Sequence, residues 1–262
     1  MSTFAMHVAK TGLNSQQIKM QVIANNLANV NTTGFKADRA NFESLLYQIL
    51  RGAGDNTSEN TSLTSGLSVG TGTRLLNTSK LHTQGSLINT GNSLDISIEG
   101  DGFFQVLLPD GRVAYTRSGA FSRNAEGTVT TASGYALQPE ITIPAEAISI
   151  NISSDGIVSV QVPGAVDAEE VGQITLADFP NRQGLQPNGE SMLLETPASG
   201  APIVAAPFEE GMGRTVQGSL ESSNVNVVQE LVDMIETQRA YEVSSKTITS
   251  VDEMMRYLAQ NV

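Results

Sequence analysis

The stretch LNSQQIKMQVIANNLANVNTTGFK, Leu13–Lys36, decides how this chain is organised. Taken at seven-residue steps and extended towards the N-terminus, Met6, Leu13, Met20 and Leu27 fall on one line of a helix. Ala9, Ile23 and Val30 fall on the adjacent line, with Gln16 its polar member. A heptad stripe of this kind is the seam of a coiled-coil-like pair. The spacing predicts a helix from Ser2 or Thr3 to Asn29. Asn25, Asn26, Asn29, Asn31 and Gly34 tolerate the left-handed backbone of a helix C-terminus, so Asn29 and Gly34 mark the helix end and the turn into extended chain.

A partner stripe stands at the other terminus. Val227, Met234, Tyr241, Ile248 and Met255 repeat at seven, flanked first by Leu231 and later by Val251 and Leu258. That drift of the flank from i+4 to i+3 follows from a straight helix whose turn does not divide seven. From Asn224 to about Gln260 there is no Gly or Pro, which predicts a rod of ~50 Å. Each helix carries little apolar surface beyond its stripe, so each needs a partner to be stable in water. Residues 1–30 hold Lys10 and Lys19 and no acid, whereas 224–262 hold six acids against Arg239, Lys246 and Arg256. Exposed pairs of this kind set orientation more than stability. Ala5, Val8 and Ala24 lie beside one seam, and Val228, Val232, Ile235 and Val243 beside the other. An intramolecular helical hairpin would bury one face of each helix; stacking of neighbouring subunits would cover the rest.

The run ANNLANVNTTGFKADR, residues 24–39, resembles the N-terminal signature of bacterial flagellar rod and hook proteins. SNVNVVQELVDMIETQRAYEVSSKTITSVDEMM, residues 223–255, resembles their C-terminal signature. Both stand at the right ends, and together they cover about a fifth of the chain. YQILRGAGDNTSENTSLTSG, residues 47–66, is similar in character to an insertion of the distal rod family that the curved hook lacks and that is associated with a straight, stiff rod.

The 262 residues carry a net charge of −12, and residues 151–210 hold nine acids with Arg182 as the single base. No basic stripe exists for a nucleic-acid backbone, so that partner class is set aside. There is no cysteine, which removes disulfides and thiolate chemistry together. The start MSTFAMHVAKTGLNSQQIKM has neither the basic region nor the apolar core of a cleaved signal. No run reaches the ~18 to 20 apolar residues of a membrane span, so membrane insertion is not expected.

Between the terminal helices, Phe35–Leu50 fits a short amphipathic helix or an extended arm. Asp55–Thr73, nearly all Ser, Thr, Asn and Gly, reads as a flexible loop. It contains two chance-prone matches to the glycosylation sequon, at Asn56 and Asn60. From Leu94 the period changes to two. Asp110-Gly111 between alternating runs signals a hairpin, and further turns are expected at 124–127, 133–134, 155–156 and 187–189. Short strands at this spacing predict an all-β domain, a small barrel or sandwich, over residues 94–204. The fold class is therefore α+β. Residues 1–30 and 224–262 form a terminal helical assembly domain, 31–93 and 205–223 the connecting arm and polar loop. Ser222, Ser223 or Asn224 would cap the second helix.

Candidate chemistry is thin. His7 and His82 have no acid at ligand spacing and read as a surface helix residue and a loop residue. Gly100-Asp101-Gly102 lacks the Lys of a phosphate loop, Asp155-Gly156 the further ligands of a calcium loop, and Ser118-Gly119 a histidine partner. Asp167, Glu169 and Glu170 read as a solvated loop. No catalytic, cofactor or metal site is expected.

Periodicity and resemblance together imply a structural protein that polymerises through the seam residues into a helical tube, with the β-domain outside. The resemblance implies a basal-body rod spanning the periplasm, subunits exported without cleavage, and torque passed from motor to hook. Its implied partners are identical subunits, the proximal rod, the hook, and the surrounding outer-membrane and peptidoglycan rings. The alternatives are the single-domain proximal rod paralogue and, from another class, an exported β-domain adhesin. Aromatic platforms would favour the adhesin, and the chain has no Trp.

Overall fold

The computed structural model describes residues 2–52, 54, 56–58, 61–62, 64–164 and 168–260, with the side chains of 2–3, 56–58, 61–62 and 258–259 outside that description. The chain divides into two compact units. One holds residues 1–27, 38–79 and 226–262, the other 28–37 and 80–225.

The first unit is built on α1 (Ser2–Ala28) and α2 (Val227–Gln260). Between them in sequence come β1 (Asp38–Ser44), β2 (Tyr47–Arg51), β3 (Asn56–Ser58), β4 (Thr61–Ser62), β5 (Leu67–Gly70) and β6 (Thr73–Lys80). The helices run antiparallel. Asn26 near the end of α1 donates to Glu230 near the start of α2 at 3.1 Å, and Phe4, Ala5, Val8 and Gly12 share a groove with Ser244 and Thr247. The α2 cap is Asn226, whose Oδ1 accepts from the amides of Val228 and Gln229, rather than Ser222, Ser223 or Asn224. Asn224 is occupied elsewhere, as described below.

Residues 35–50 hold no helix, and the extended alternative is the one realised: β1 pairs with β6 and β2 antiparallel with β5. The 55–73 segment, read as a loop from its composition, supplies β3, β4 and β5, while Asp55 and Asn60 lie outside the described residues. Ladder hydrogen bonds explain the difference. They need only backbone, and β2 offers an unpaired edge to a sequence with nothing to bury. The arm is held on α1 where Gly72 (φ +118) passes Thr11: a Cβ there would sit 2.1 Å from Thr11 Oγ1. Ser15 and Thr73 hydroxyls meet beside it at 3.0 Å.

The second unit contains β7 (Leu87–Asn89), β8 (Ile96–Glu99), β9 (Phe103–Leu107), β10 (Val113–Thr116), β11 (Phe121–Arg123), β12 (Val129–Thr131), β13 (Ala136–Gln138), β14 (Ser149–Ile152), β15 (Ile157–Gln161) and β16 (Glu169–Gln173). Then follow β17 (Leu176–Asp178), a 3₁₀ turn at Arg182–Gly184, β18 (Gln186–Gly189), β19 (Met192–Leu194), β20 (Ile203–Ala205), β21 (Arg214–Gln217) and β22 (Ser219–Glu221). A nine-stranded sheet runs β11-β12-β13-β9-β10-β19-β18, with β17 pairing both β9 and β20. Its path does not close into a barrel. The three-stranded sheet β14-β15-β16 instead sends Ile152, Val158 and Val160 into the same core cluster as Phe104, Val106 and Leu137. Pairing of β21 with β8 and of β22 with β7 carries the β-structure beyond residues 94–204 on both sides. Glu169 and Glu170 begin the edge strand β16 and stay exposed, rather than lying in a loop; Asp167 is outside the described residues.

Alternation along β9 fixes this architecture. Phe104 and Val106 face the large cluster, whereas Phe103 faces a second cluster with Tyr115, Phe179, Leu185 and Leu193. Phe104 meets Phe121 edge-on at 5.2 Å. The turn at Asp110-Gly111, with Gly111 at φ +81, joins β9 to β10 in the register Val113 opposite Leu107.

Candidate assembly interface

Where α1 ends, Thr32 donates its amide to the carbonyl of Asn29 and its hydroxyl to the Asn29 side chain, closing the turn. Gly34 follows at φ +67, and a Cβ there would strike the backbone of Ser118 at 2.4 Å. No other residue fits that approach. Immediately after it, the elbow 28–37 is held by a buried ionic network. Lys36 Nζ lies 2.5 Å from Glu221 Oε1 and donates to the carbonyl of Thr83 at 2.8 Å. Arg117 reaches Glu221 Oε2 at 3.4 Å and donates to the Gly100 carbonyl at 2.7 Å, its guanidinium over the Phe103 ring. The amide of Gly85 also donates to Glu221, at 2.9 Å. Burial pulls Lys36 and Arg117 below their ordinary pKa values, against the opposing pull of the Glu221 carboxylate.

Asparagines complete the stitching. Asn224 accepts from the Ala37 amide at 2.8 Å and donates to the carbonyls of Leu81 at 2.7 Å and Thr83 at 3.1 Å. In the other unit, Asn26 is buried, accepting from the Asp38 amide at 2.8 Å and donating to its carbonyl at 2.9 Å, besides its bond to Glu230. Burial is the largest influence on Glu230 and pushes its carboxyl up. The two terminal signatures thus meet within each unit separately, through Asn26 and Glu230 in one and through Ala37 and Asn224 in the other, with Lys36 bound to Glu221 just before the second signature.

The seam residues are placed unevenly. Ile23 is buried, 4% exposed. Met6, Leu13, Met20, Leu27 and Val30 are half-buried, as are Met234, Tyr241, Ile248, Val251 and Met255. Val227 and Leu231 are exposed, and the side chain of Leu258 is outside the described residues. Beside the seam, Val228 (71% exposed), Val232, Ile235, Val243, Met254 and Tyr257 fall within an arc of about 100° on α2, all open to solvent and interrupted by Arg239 and Lys246. The arm adds a second open surface at Leu46 (89%), Tyr47, Ile49 (72%), Leu50 and Leu67.

Lys36, Glu221, Arg117, Asn26 and Asn224 do not follow from periodicity. Their decisive partners, Asn26–Glu230, Lys36–Glu221, Arg117–Glu221 and Asn224–Ala37, lie far apart in sequence. Lys36 and Glu221 do stand as lone charges within TTGFKA and GSLESSN, and that is the signal that was available. His82 is a loop residue, half-buried, with its ring edge-on against Phe103 at 5.7 Å. His7 lies exposed on α1. Among the described residues no three His, Cys, Asp or Glu side chains are grouped to hold a metal, and no helix is long and apolar enough to cross a membrane.

Residues 6–36 match the family described as flagella basal body rod protein, 97–160 the flagellar hook protein FlgE/F/G D1 domain, and 216–261 the flagellar basal body rod FlgEFG protein C-terminal. Over 256 residues the chain is 51% identical to the flagellar basal-body rod protein FlgG of Buchnera aphidicola subsp. Schizaphis graminum, covering 98% of each. Two proteins of Caulobacter vibrioides give a comparison within one organism. Its FlgG is 43% identical over 98% of both chains, its FlgF 31% identical over 96% of this chain and 95% of its own.

Proposed function

Because the chain belongs to the flagellar basal-body rod protein FlgG family and is a structural subunit of the bacterial flagellar rod, we propose that it builds the distal rod as a helical polymer whose inner layer is α1 and α2. One observation carries this reading. Among the described residues, Ile23 is the single apolar side chain of the helical unit that is buried, while Val228, Leu231, Val232 and Ile235 of α2 stand open to solvent. A unit that buries so little within itself completes its core against neighbours. Contacts that do not close into a ring generate a helical filament.

In this reading the seam positions and the exposed α2 face meet α1 of adjacent copies, and the arm bearing Leu46 and Ile49 fills the space between them. The helices order as each subunit joins the growing end, which suits export of an unfolded chain without cleavage. The polymer crosses the periplasm, joins proximal rod to hook, turns inside the outer-membrane and peptidoglycan rings, and carries torque. The stronger identity to FlgG than to FlgF within one organism favours the distal over the proximal position.

The test is polymer formation by the purified chain, followed by sedimentation and negative-stain microscopy. Val232→Asp with Ile235→Asp is expected to abolish filaments while the β-domain keeps its native spectrum. Filaments of normal yield from that double variant would remove the α2 face from the assembly.

A further inference from the structure

Segment 80–84 is gripped by both signatures at once. The Leu81 amide donates to the Ala37 carbonyl at 2.8 Å, Asn224 donates to the carbonyls of Leu81 and Thr83, and Lys36 donates to that of Thr83. His82 lies in the middle of these contacts. Its ring stands against Phe103, and its Nδ1 is sequestered from solvent without a hydrogen-bond partner. The cations facing it come from three places: Lys36 in the elbow, Arg117 after β10 and Arg182 in the 3₁₀ turn. The nearby acids are already engaged, Glu221 by Lys36 and Arg117, and Asp178 and Asp101 by Arg182. Lys80 lines the same surface cleft, its ammonium over the Phe35 ring.

We infer that His82 is an acid-operated release for this junction: protonation of its ring frees the 28–37 elbow and residues 221–225 from segment 80–84. A neutral imidazole tolerates one nitrogen without a donor. An imidazolium must donate from both, and Nδ1 has no acceptor in reach. Protonation also adds a positive charge beside Lys36, Arg117 and Arg182, with no free carboxylate to offset it. Opening the junction exposes the ring to water and removes both penalties. Because His82 lines a surface cleft with Leu81, Asn181 and Arg182, a proton reaches it without prior unfolding.

Burial first, then Lys36, push His82 down to about 4 from an ordinary 6.5, with a hydrogen bond from the ring to the Arg182 backbone opposing the shift. A depressed histidine pKa contributes stability that is complete above pH 6.5. That stability is lost as pH falls, because the open state binds the proton first. The opening constant therefore grows by up to tenfold per pH unit between 6.5 and 4, on the order of a few hundredfold in all.

The experiment is amide hydrogen exchange on the full chain from pH 7 to 4, following peptides over 33–38, 80–84 and 221–226. Peptides from β9 and β10 correct for the intrinsic pH dependence of exchange. The wild type is compared with His82→Phe, which keeps an aromatic ring beside Phe103 and cannot titrate. Junction exchange that rises on acidification in the wild type and stays flat in His82→Phe supports the release. An equal rise in both, or none in either, overturns it. Should the variant not fold, the histidine signals of the wild type decide the matter. A His82 midpoint near 4 supports the inference and one near 6.5 overturns it.

Discussion

The β-domain and the helical unit treat their apolar residues in opposite ways. In the β-domain Ile96, Ile98, Phe103, Phe104, Leu137 and Ile141 are essentially inaccessible, and two clusters fill both faces of the central sheet. In the helical unit Ile23 alone among the described apolar residues is buried, and aliphatic side chains line the open face of α2 and the arm. One region carries its core within itself. The other leaves its apolar side chains open to solvent. The contrast predicts that changing an apolar residue has consequences of different kinds in the two places.

The largest expected effect on the subunit is in the β-domain. Phe104→Ala removes a ring packed edge-on against Phe121 in the middle of the core and should cost about 3–5 kcal/mol in chemical denaturation. A loss below about 1 kcal/mol would show that the sheet's interior is looser than its burial implies. Glu221→Gln is expected to cost a similar amount, about 3–5 kcal/mol, because Lys36 and Arg117 would remain buried without their shared carboxylate. Adding Lys36→Met to that variant should recover part of the loss. If the double variant is no more stable than the single, the network does not act as a charge-balanced set.

These residues also show which parts of the fold a sequence displays. The period-seven stripes from Met6 to Leu27 and from Val227 to Met255 mark both helices, because a helix's apolar face is written in its own spacing. The turn at Asp110-Gly111 likewise announces β9 and β10, since its geometry is local. The strands of the 55–73 segment were not legible. Asn56–Ser58 pairs with Thr61–Ser62 and Leu67–Gly70 with Tyr47–Arg51, in ladders of backbone hydrogen bonds that composition does not display. Nor was the junction, where Lys36 meets Glu221 and Asn224 binds Ala37, Leu81 and Thr83 across most of the chain's length. Asn224 stands with Ser222 and Ser223 among the cap candidates of the sequence, a local role, while its partners are all distant and Asn226 does the capping. Local patterns specify elements; the contacts joining the two signatures depend on a tertiary arrangement that no window of sequence contains.

A smaller effect is expected where the helical unit does have internal structure. Asn26→Ala removes its hydrogen bonds to the Asp38 backbone and the Glu230 carboxylate, at about 1–3 kcal/mol. Faster hydrogen exchange at the Asp38 amide, with no change in β9, would locate the damage in the helical unit. An equal change in both would mean that the two units unfold as one.

The smallest effect on the subunit sharpens the contrast most. Val232→Asp replaces an exposed apolar side chain on α2 and should change the stability of the isolated chain by less than about 0.5 kcal/mol. In a polymer built on this face the same substitution would place a carboxylate where an apolar side chain is buried, at the cost of desolvating the charge. It should therefore abolish filaments and motility while leaving the thermal unfolding of the monomer unchanged. That pairing separates an assembly surface from a core position: a core substitution lowers both together, as Phe104→Ala should. If Val232→Asp instead destabilises the monomer by several kcal/mol, α2 already packs that face within one subunit. The apolar stripe would then belong to a closed helical hairpin, and the polymer would have to be built from other surfaces, the exposed arm at Leu46 and Ile49 first among them.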